Sequence, residues 1–336
     1  MSAYSSEYYH STRKGEQPMS LVGAQEILKK VEDSRWWVEA KPETIELTEN
    51  EVMVEGKSIG MWSPRVITAA KNYTKAPAVG VQEGLTFDDR RLRKEQVERN
   101  VLNTLFKTQE FDNNFMFRTN DYGVVTGMVT TRYQHLPYTQ LITAFPTNWV
   151  VARMQIDNGF CDIHVCHPDR LEDSMFGMRV TTSDIGLMRA MMFMQLLMLV
   201  CANGMVSVKE IEAIKRYHLG GIFGENILAD WNRKVAMLVE DFPIHNVATR
   251  EALRASANVV VTEADATAAL LRLEVGPVRI KAALEYASAK YPKLTKFAVA
   301  QGLTYASQVK SLRSKDITNI KMGLQSDLAA TQYLAA

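Results

Sequence analysis

The chain has 336 residues, 46% of them hydrophobic and 23% charged, with a formal net charge of only +1, which excludes a disordered or fibrous protein and leaves room for two domains. No apolar run reaches the roughly 20 uninterrupted residues of a membrane span, and the polar opening MSAYSSEYYHSTRKGEQP lacks the apolar segment of a secretory signal. The three cysteines, Cys161, Cys166 and Cys201, are an odd number in a large chain and fit free thiols in a reducing cytoplasm better than a disulfide framework.

In chain order, residues 1–18 read as a disordered arm. Leu21, Ala24, Ile27, Leu28 and Val31 carry a helical period between Met19 and Ser34, and short strands follow from Arg35 to Met61, with Glu55-Gly56-Lys57 as a hairpin turn. Thr86-x-x-Asp89 resembles a capping box and opens a charged helix with an apolar stripe at Leu92, Val97, Val101, Leu102 and Leu105. Its Arg90-Arg91-x-Arg93-Lys94 run is interleaved with Asp88, Asp89, Glu95 and Glu98, the pattern of a solvated face laced with ion pairs.

Strands are predicted over Phe115 to Arg118 and Gly123 to Thr131, joined by the turn Asn120-Asp121-Tyr122-Gly123, then a short helix over Thr139 to Phe145. Three more strands follow at Trp149 to Ile156, Phe160 to Cys166 and Phe176 to Thr182. Leu187 to Ala202 is almost wholly apolar, interrupted by Arg189 and Gln195 and followed by Asn203-Gly204, and reads as a buried helix whose methionines fill the core. The order predicts an α+β fold: an antiparallel meander packed on a long apolar helix. Helical patterns then begin at Ser207-x-x-Glu210, stop at Gly220-Gly221, and run over Asn226 to Val239, Thr249 to Asn258, Thr262 to Leu273, Pro277 to Lys290 and Leu294 to Leu312. The expected division is a core domain over 19–206, a helical C-terminal domain over 207–312 packed on the sheet, and a tail over 313–336.

Chemistry has few candidates. In Cys161-Asp-Ile-His-Val-Cys-His167, strand alternation puts Cys161 and His167 on one side and His164 and Cys166 on the other, so the four do not converge on a tetrahedral ion, and no metal is expected. Gly220-Gly221-x-x-Gly224 lacks the lysine of a phosphate loop. Asp121, His135, Asp157, Asp162, His164 and Asp169 have the spacing of turn and surface groups, and no nucleophile, base or cofactor motif stands out. The expectation is a protein that is not an enzyme and has no cofactor.

The charge distribution points elsewhere. Met19 to Glu55 holds four basic residues against nine acidic, a net of −5, whereas Gly276 to Lys315 holds eight basic against one acidic, a net of +7. The basic stretch is interleaved with Tyr286, Tyr291, Phe297 and Tyr305, and single strands call for that pairing: cations that follow phosphates, rings on which bases stack. Burial of those rings on the apolar stripe is the alternative.

The run Arg118-Thr-Asn-Asp-Tyr-Gly-Val-Val-Thr-Gly-Met-Val-Thr-Thr-Arg-Tyr133, the segment Gly177 to Gly186, and Val200-Cys-Ala-Asn-Gly-Met205 resemble the phage/plasmid-like family called domain of unknown function nine-three-two, over residues 110 to 310. The resemblance implies a mobile-element origin and a location in the host bacterial cytoplasm. The strand order is also similar to the core of phage single-strand annealing proteins of the Red-beta, RecT and Rad52 kind, which form rings or filaments and hold single-stranded DNA in a basic groove.

Two readings follow. One is a homo-oligomer that binds and anneals single-stranded DNA in phage or plasmid recombination, away from membranes and alongside host or phage replication proteins. Its candidate contacts are Arg118 and Arg132 on the hairpin and Arg279, Lys281, Lys290, Tyr291, Lys293 and Lys296 on the basic helices. The other is a non-enzymatic interaction or structural protein of a mobile element that self-assembles or blocks a host factor, joining neighbours head to tail through its acidic N-terminal and basic C-terminal regions.

Overall fold

The computed structural model describes residues 8–12, 15–78, 87–157, 159–171, 174–183, 185, 190–198, 203–206, 227–313, 329–330 and 332–334. The first element corrects an expectation. Tyr8–Ser11 form strand β1, laid antiparallel beside a strand far along the chain, with Tyr8 opposite Ile156 and Ser11 opposite Arg153. Ring burial explains why part of the expected arm is ordered: Tyr8 packs against the main core.

After β2 (Met19–Ser20), the Ser20 hydroxyl accepts from the Gly23 amide (3.1 Å) and starts α1 (Leu21–Asp33), which buries Leu21, Ala24 and Leu28. Then come β3 (Arg35–Ala40), β4 (Ile45–Leu47), β5 (Glu51–Val54) and β6 (Lys57–Trp62). Glu55 (φ 51°) and Gly56 (φ 75°) make the two-residue turn between β5 and β6; with both residues at positive φ, its twist matches that of the flanking strands. Helices α2 (Pro64–Thr74) and α3 (Phe87–Thr108) precede β7 (Phe115–Asn120) and β8 (Val124–Thr130). The β7–β8 turn is held by Asn120, whose Oδ1 accepts from the Tyr122 and Val124 amides at 3.2 and 3.1 Å.

These strands make a six-stranded sheet in the order β3-β7-β8-β6-β5-β4, antiparallel except where β6 runs parallel to β8. Its own core joins Val66 and Ala70 of α2 and Leu102 and Phe106 of α3 to Phe115, Phe117, Val125 and Met128. At the β4 edge, Asn103 accepts from the Leu47 amide (2.8 Å) and donates to the Leu47 carbonyl (3.0 Å), so α3 satisfies a backbone that would otherwise invite pairing. The apolar stripe expected on α3 is buried only toward its end: Leu92 and Val97 are exposed.

The second sheet follows α4 (Tyr138–Thr143) and comprises β9 (Val150–Asp157), β10 (Phe160–Leu171), β11 (Ser174–Ser183), β12 (Met191–Met198) and β13 (Asn203–Val206). It runs β1-β9-β10-β11-β12-β13, all antiparallel, with β2 also on β9. Within the stretch Leu187 to Ala202 expected as a long apolar helix, the described residues Met191–Met198 are instead a strand paired with β11, Met194 lying opposite Met178, and Asn203-Gly204 lie in β13 rather than ending a helix. A run apolar at nearly every position suits an interior strand as well as a buried helix, and here pairing on both edges decides.

The chain then turns helical: α5 (Ile227–Asn258), α6 (Glu263–Arg272), α7 (Pro277–Lys290) and α8 (Lys296–Arg313). The two helices expected before Asn258 are one helix of 32 residues that carries Pro243 inside it. Phe242, next to that proline, lies against Phe176 and Trp149 with ring centroids 5.0 and 4.7 Å apart, an anchor that offsets the lost backbone hydrogen bond. Trp231 and Val235 of α5, Leu270 of α6, Ile280 of α7 and Leu303 of α8 share one core with Met154, Ile163, Met178 and Met192 of the second sheet. The helix expected from Ser207 and its glycine stop lie outside the described residues. The architecture is α+β with a helical C-terminal region, and no helix among the described residues is long and apolar enough to cross a membrane.

Candidate functional sites

The basic helices come together as a surface. Gly276 and Pro277 open α7, and after Lys290 the chain leaves in extended form at Tyr291, φ −118° and ψ 139°. The turn into α8 is tied to the segment before α6: Val261 donates to the Leu294 carbonyl (3.0 Å) and Lys296 to that of Val259 (2.9 Å), while the Thr295 hydroxyl accepts from Ala298. The two helices cross so closely at Gly302 that a Cβ there would lie 2.0 Å from the Ala283 carbonyl oxygen. This fixed turn leaves Lys290 and Lys293 exposed and Lys296 half-buried, and none of the three has a carboxylate partner among the described residues. Lys281 is exposed but shares its charge with Glu285 at 3.8 Å, and Arg279 is half-buried.

The aromatic residues of this region are largely paired with each other. Tyr286 and Tyr305 stack with centroids 4.0 Å apart, and Tyr291 meets Phe297 edge to face at 5.9 Å. Half-buried Tyr291 therefore has one side occupied. The hairpin residues lie in the other sheet. Arg132 is exposed, and its Nε donates to Asn113 (3.1 Å). Arg118 is 4% exposed with its guanidinium 5.1 Å from the Trp37 ring, so it is removed from the set of surface phosphate contacts; the strand alternation that exposes its neighbours on paper ignores the covered back of the sheet.

The cysteine-histidine stretch alternates as a strand should. Cys161, Ile163 and Val165 enter the main core, Cys166 joins Ala152 and Met175 in a small cluster, and Asp162 and His164 point to the opposite face from Ile163. His167 packs against Trp149 and Phe242 and lies 3.5 Å from Asp169. Among the described residues no three His, Cys, Asp or Glu side chains gather as metal ligands.

What the sequence did not display is a buried polar row across the second sheet. Cross-strand register sets Ser11 of β1 opposite Arg153 of β9, Arg153 opposite His164 of β10, and His164 opposite Arg179 of β11; Asp162 is opposite Thr181. Residues so paired share a face. The Asp162 carboxylate accepts from Arg179 Nε and Nη2 at 2.8 and 2.9 Å, a two-point pair with both side chains almost wholly buried. Burial pushes the His164 imidazole down to about 3, assisted by the Arg179 charge, so it is neutral at ordinary pH. Arg153, His164 and Thr181 are 7%, 3% and 0% exposed. Their Nε, Nε2 and Oγ1 atoms, and the Ser11 Oγ, are buried with no hydrogen-bond partner among the described residues. The available signal was one polar or charged residue at the middle of each strand, in VVARMQID, CDIHVCH and FGMRVTT; only the register puts them in line.

Compared with known proteins, the chain matches no family model, no curated protein and no solved structure.

Proposed function

We propose that the protein binds single-stranded nucleic acid along the α7–α8 turn and acts as a phage- or plasmid-encoded, homo-oligomeric single-strand DNA-binding and annealing protein. The observation that carries this reading is the display of Lys290, Lys293 and Lys296 around one rigid turn without acidic partners, inside a stretch with eight cations and one acid. An ammonium held by a neighbouring carboxylate has little to offer a phosphate; one paired only with small counterions gains by exchanging them for a polyanion. Arg279, Lys281 and Arg132 extend the cationic set, and half-buried Tyr291, edge to face with Phe297, is the aromatic ring beside the lysines on which a base would stack. The reading assigns no chemical step to the protein. Its test is fluorescence anisotropy with labelled single- and double-stranded oligonucleotides at two salt concentrations, with light scattering for the assembly and a strand-pairing assay for annealing. Tight single-strand binding that weakens with salt is expected, by an assembly larger than a monomer; absence of binding at low salt would contradict it.

A further inference from the structure

Helix α5 carries two apolar stripes. Trp231, Val235, Leu238 and Phe242 face the main core. On the opposite side Met237, Ile244 and Val247 are 58%, 67% and 56% exposed, large apolar side chains left in water along a helix of 32 residues. Scattered singly, such residues carry no information; these lie on one line. Together with Arg233, Glu240 and Glu251, all exposed, they recur at alternating steps of four and three residues. At about 100° per residue that spacing keeps all six within a stripe roughly 80° wide, which is the pattern of a coiled-coil seam. The core of the chain uses none of the six.

We propose that this seam joins two copies of the chain, α5 packing antiparallel on α5 of a second copy about a two-fold axis level with the midpoint between Glu240 and Ile244. The seam is its own complement. Turned end for end about that axis, Arg233 meets Glu251 of the second copy and Met237 meets its Val247, and each meeting occurs twice. A parallel pair would instead set Arg233 against Arg233 and Glu251 against Glu251, so charge selects the antiparallel register. Glu251 has no ion pair within its own chain among the described residues, and Arg233, which gives Nη2 to Asp230 at 2.6 Å, keeps its side chain 64% exposed with further donors to offer. Glu240 against Ile244 of the second copy is the one mixed layer; a polar residue within a seam fixes register at a cost in stability. The contact is small, so association belongs in the micromolar range. This inference rests on the homo-oligomer part of the function proposed above and not on nucleic-acid binding, since the seam includes none of the α7–α8 lysines.

The test is analytical ultracentrifugation of the full-length protein at micromolar concentrations without nucleic acid. Ile244→Asp, at an exposed position that the fold does not use, should weaken self-association about tenfold or more, and Glu240→Leu, which completes the apolar seam, should tighten it by a similar factor. Should Ile244→Asp fail to fold, Glu251→Arg takes its place, because it sets arginine against Arg233 across the seam. Register is read by cross-linking a chain that carries both Met237→Cys and Val247→Cys. Ten residues apart on a helix, roughly 15 Å, these two cannot bridge within one chain. Mild oxidation should therefore give a disulfide-linked dimer that the parent and the two single variants do not give and that Ile244→Asp suppresses. Self-association that Ile244→Asp and Glu240→Leu leave unchanged, or a double-cysteine chain that forms no dimer, would overturn this interface and leave the homo-oligomer standing. A parent that stays monomeric would overturn both. The expected seam results in a protein that binds no single strand would support the interface and strike the nucleic-acid reading alone.

Discussion

At Asp162 opposing effects meet: burial pushes its carboxyl up, while the Arg179 and Arg153 guanidiniums more than offset this and hold it below the usual range. Stability from a carboxylate held low is fully present above its unfolded pKa, near 4, and is lost as pH falls below that value. Asp162→Asn leaves buried arginine charge unanswered and should cost about 3–5 kcal/mol in urea unfolding at neutral pH. His164 opens an earlier window. Its folded pKa of about 3 lies below an unfolded value near 6.5, so the unfolded chain gains a proton first, and stability drains as pH falls from 6.5 toward 3. The stability advantage of the parent over His164→Gln should therefore shrink by about 1.4 kcal/mol per pH unit across that window. A difference constant between pH 7 and pH 4 would show that the imidazole is not held neutral. None of this was legible in the residues alone. CDIHVCH showed which side chains share a face, but the partners, Arg153 and Arg179, arrive from strands whose register no local pattern states.

Among the elements, hairpins were readable and the methionine-rich segment was not, for one physical reason. A turn is written in local chemistry: Glu55-Gly56 at positive φ, Asn120 folded onto its own backbone. Met191–Met198 carries no such mark, because Met and Leu favour helices in isolation and only pairing with β11 and β13 overrides that preference. A side-chain scan distinguishes the two forms. Met192 and Met194 are buried in the main core while Met191 is half-buried, an alternation of period two. Met194→Ala should cost about 2–5 kcal/mol and Met191→Ala clearly less; in a helix, positions 191 and 194 share a face and would respond alike. The α7–α8 crossing gives a second test. Gly302→Ala forces a Cβ against the Ala283 backbone and should lower stability by about 1–3 kcal/mol, read as a drop in melting temperature.

Over the whole molecule, two sheets keep separate cores and meet through polar contacts: Arg35 donates to the Tyr138 hydroxyl (3.2 Å) and the Asp157 carbonyl (3.3 Å), and the Tyr133 hydroxyl donates to the Ser183 carbonyl (2.5 Å). The α+β class and the helical C-terminus followed from the alternation of periods along the chain, and the concentration of positive charge from the count of eight cations against one acid between Gly276 and Lys315. What composition could not tell was how the rings are used: Tyr286 and Tyr305 face each other, so most of the expected stacking surface is internal packing and the lysines carry the proposal. The most direct measurement is the salt dependence of single-strand binding by the parent and by the Lys290→Gln, Lys293→Gln, Lys296→Gln variant. Each neutralised phosphate contributes about −0.7 to the log-log slope on single strands. The variant is expected to fold as the parent does, to bind unrelated sequences more weakly alike, and to show a slope flatter by up to about 2. Equal affinity and equal slope in parent and variant would contradict the proposed interface.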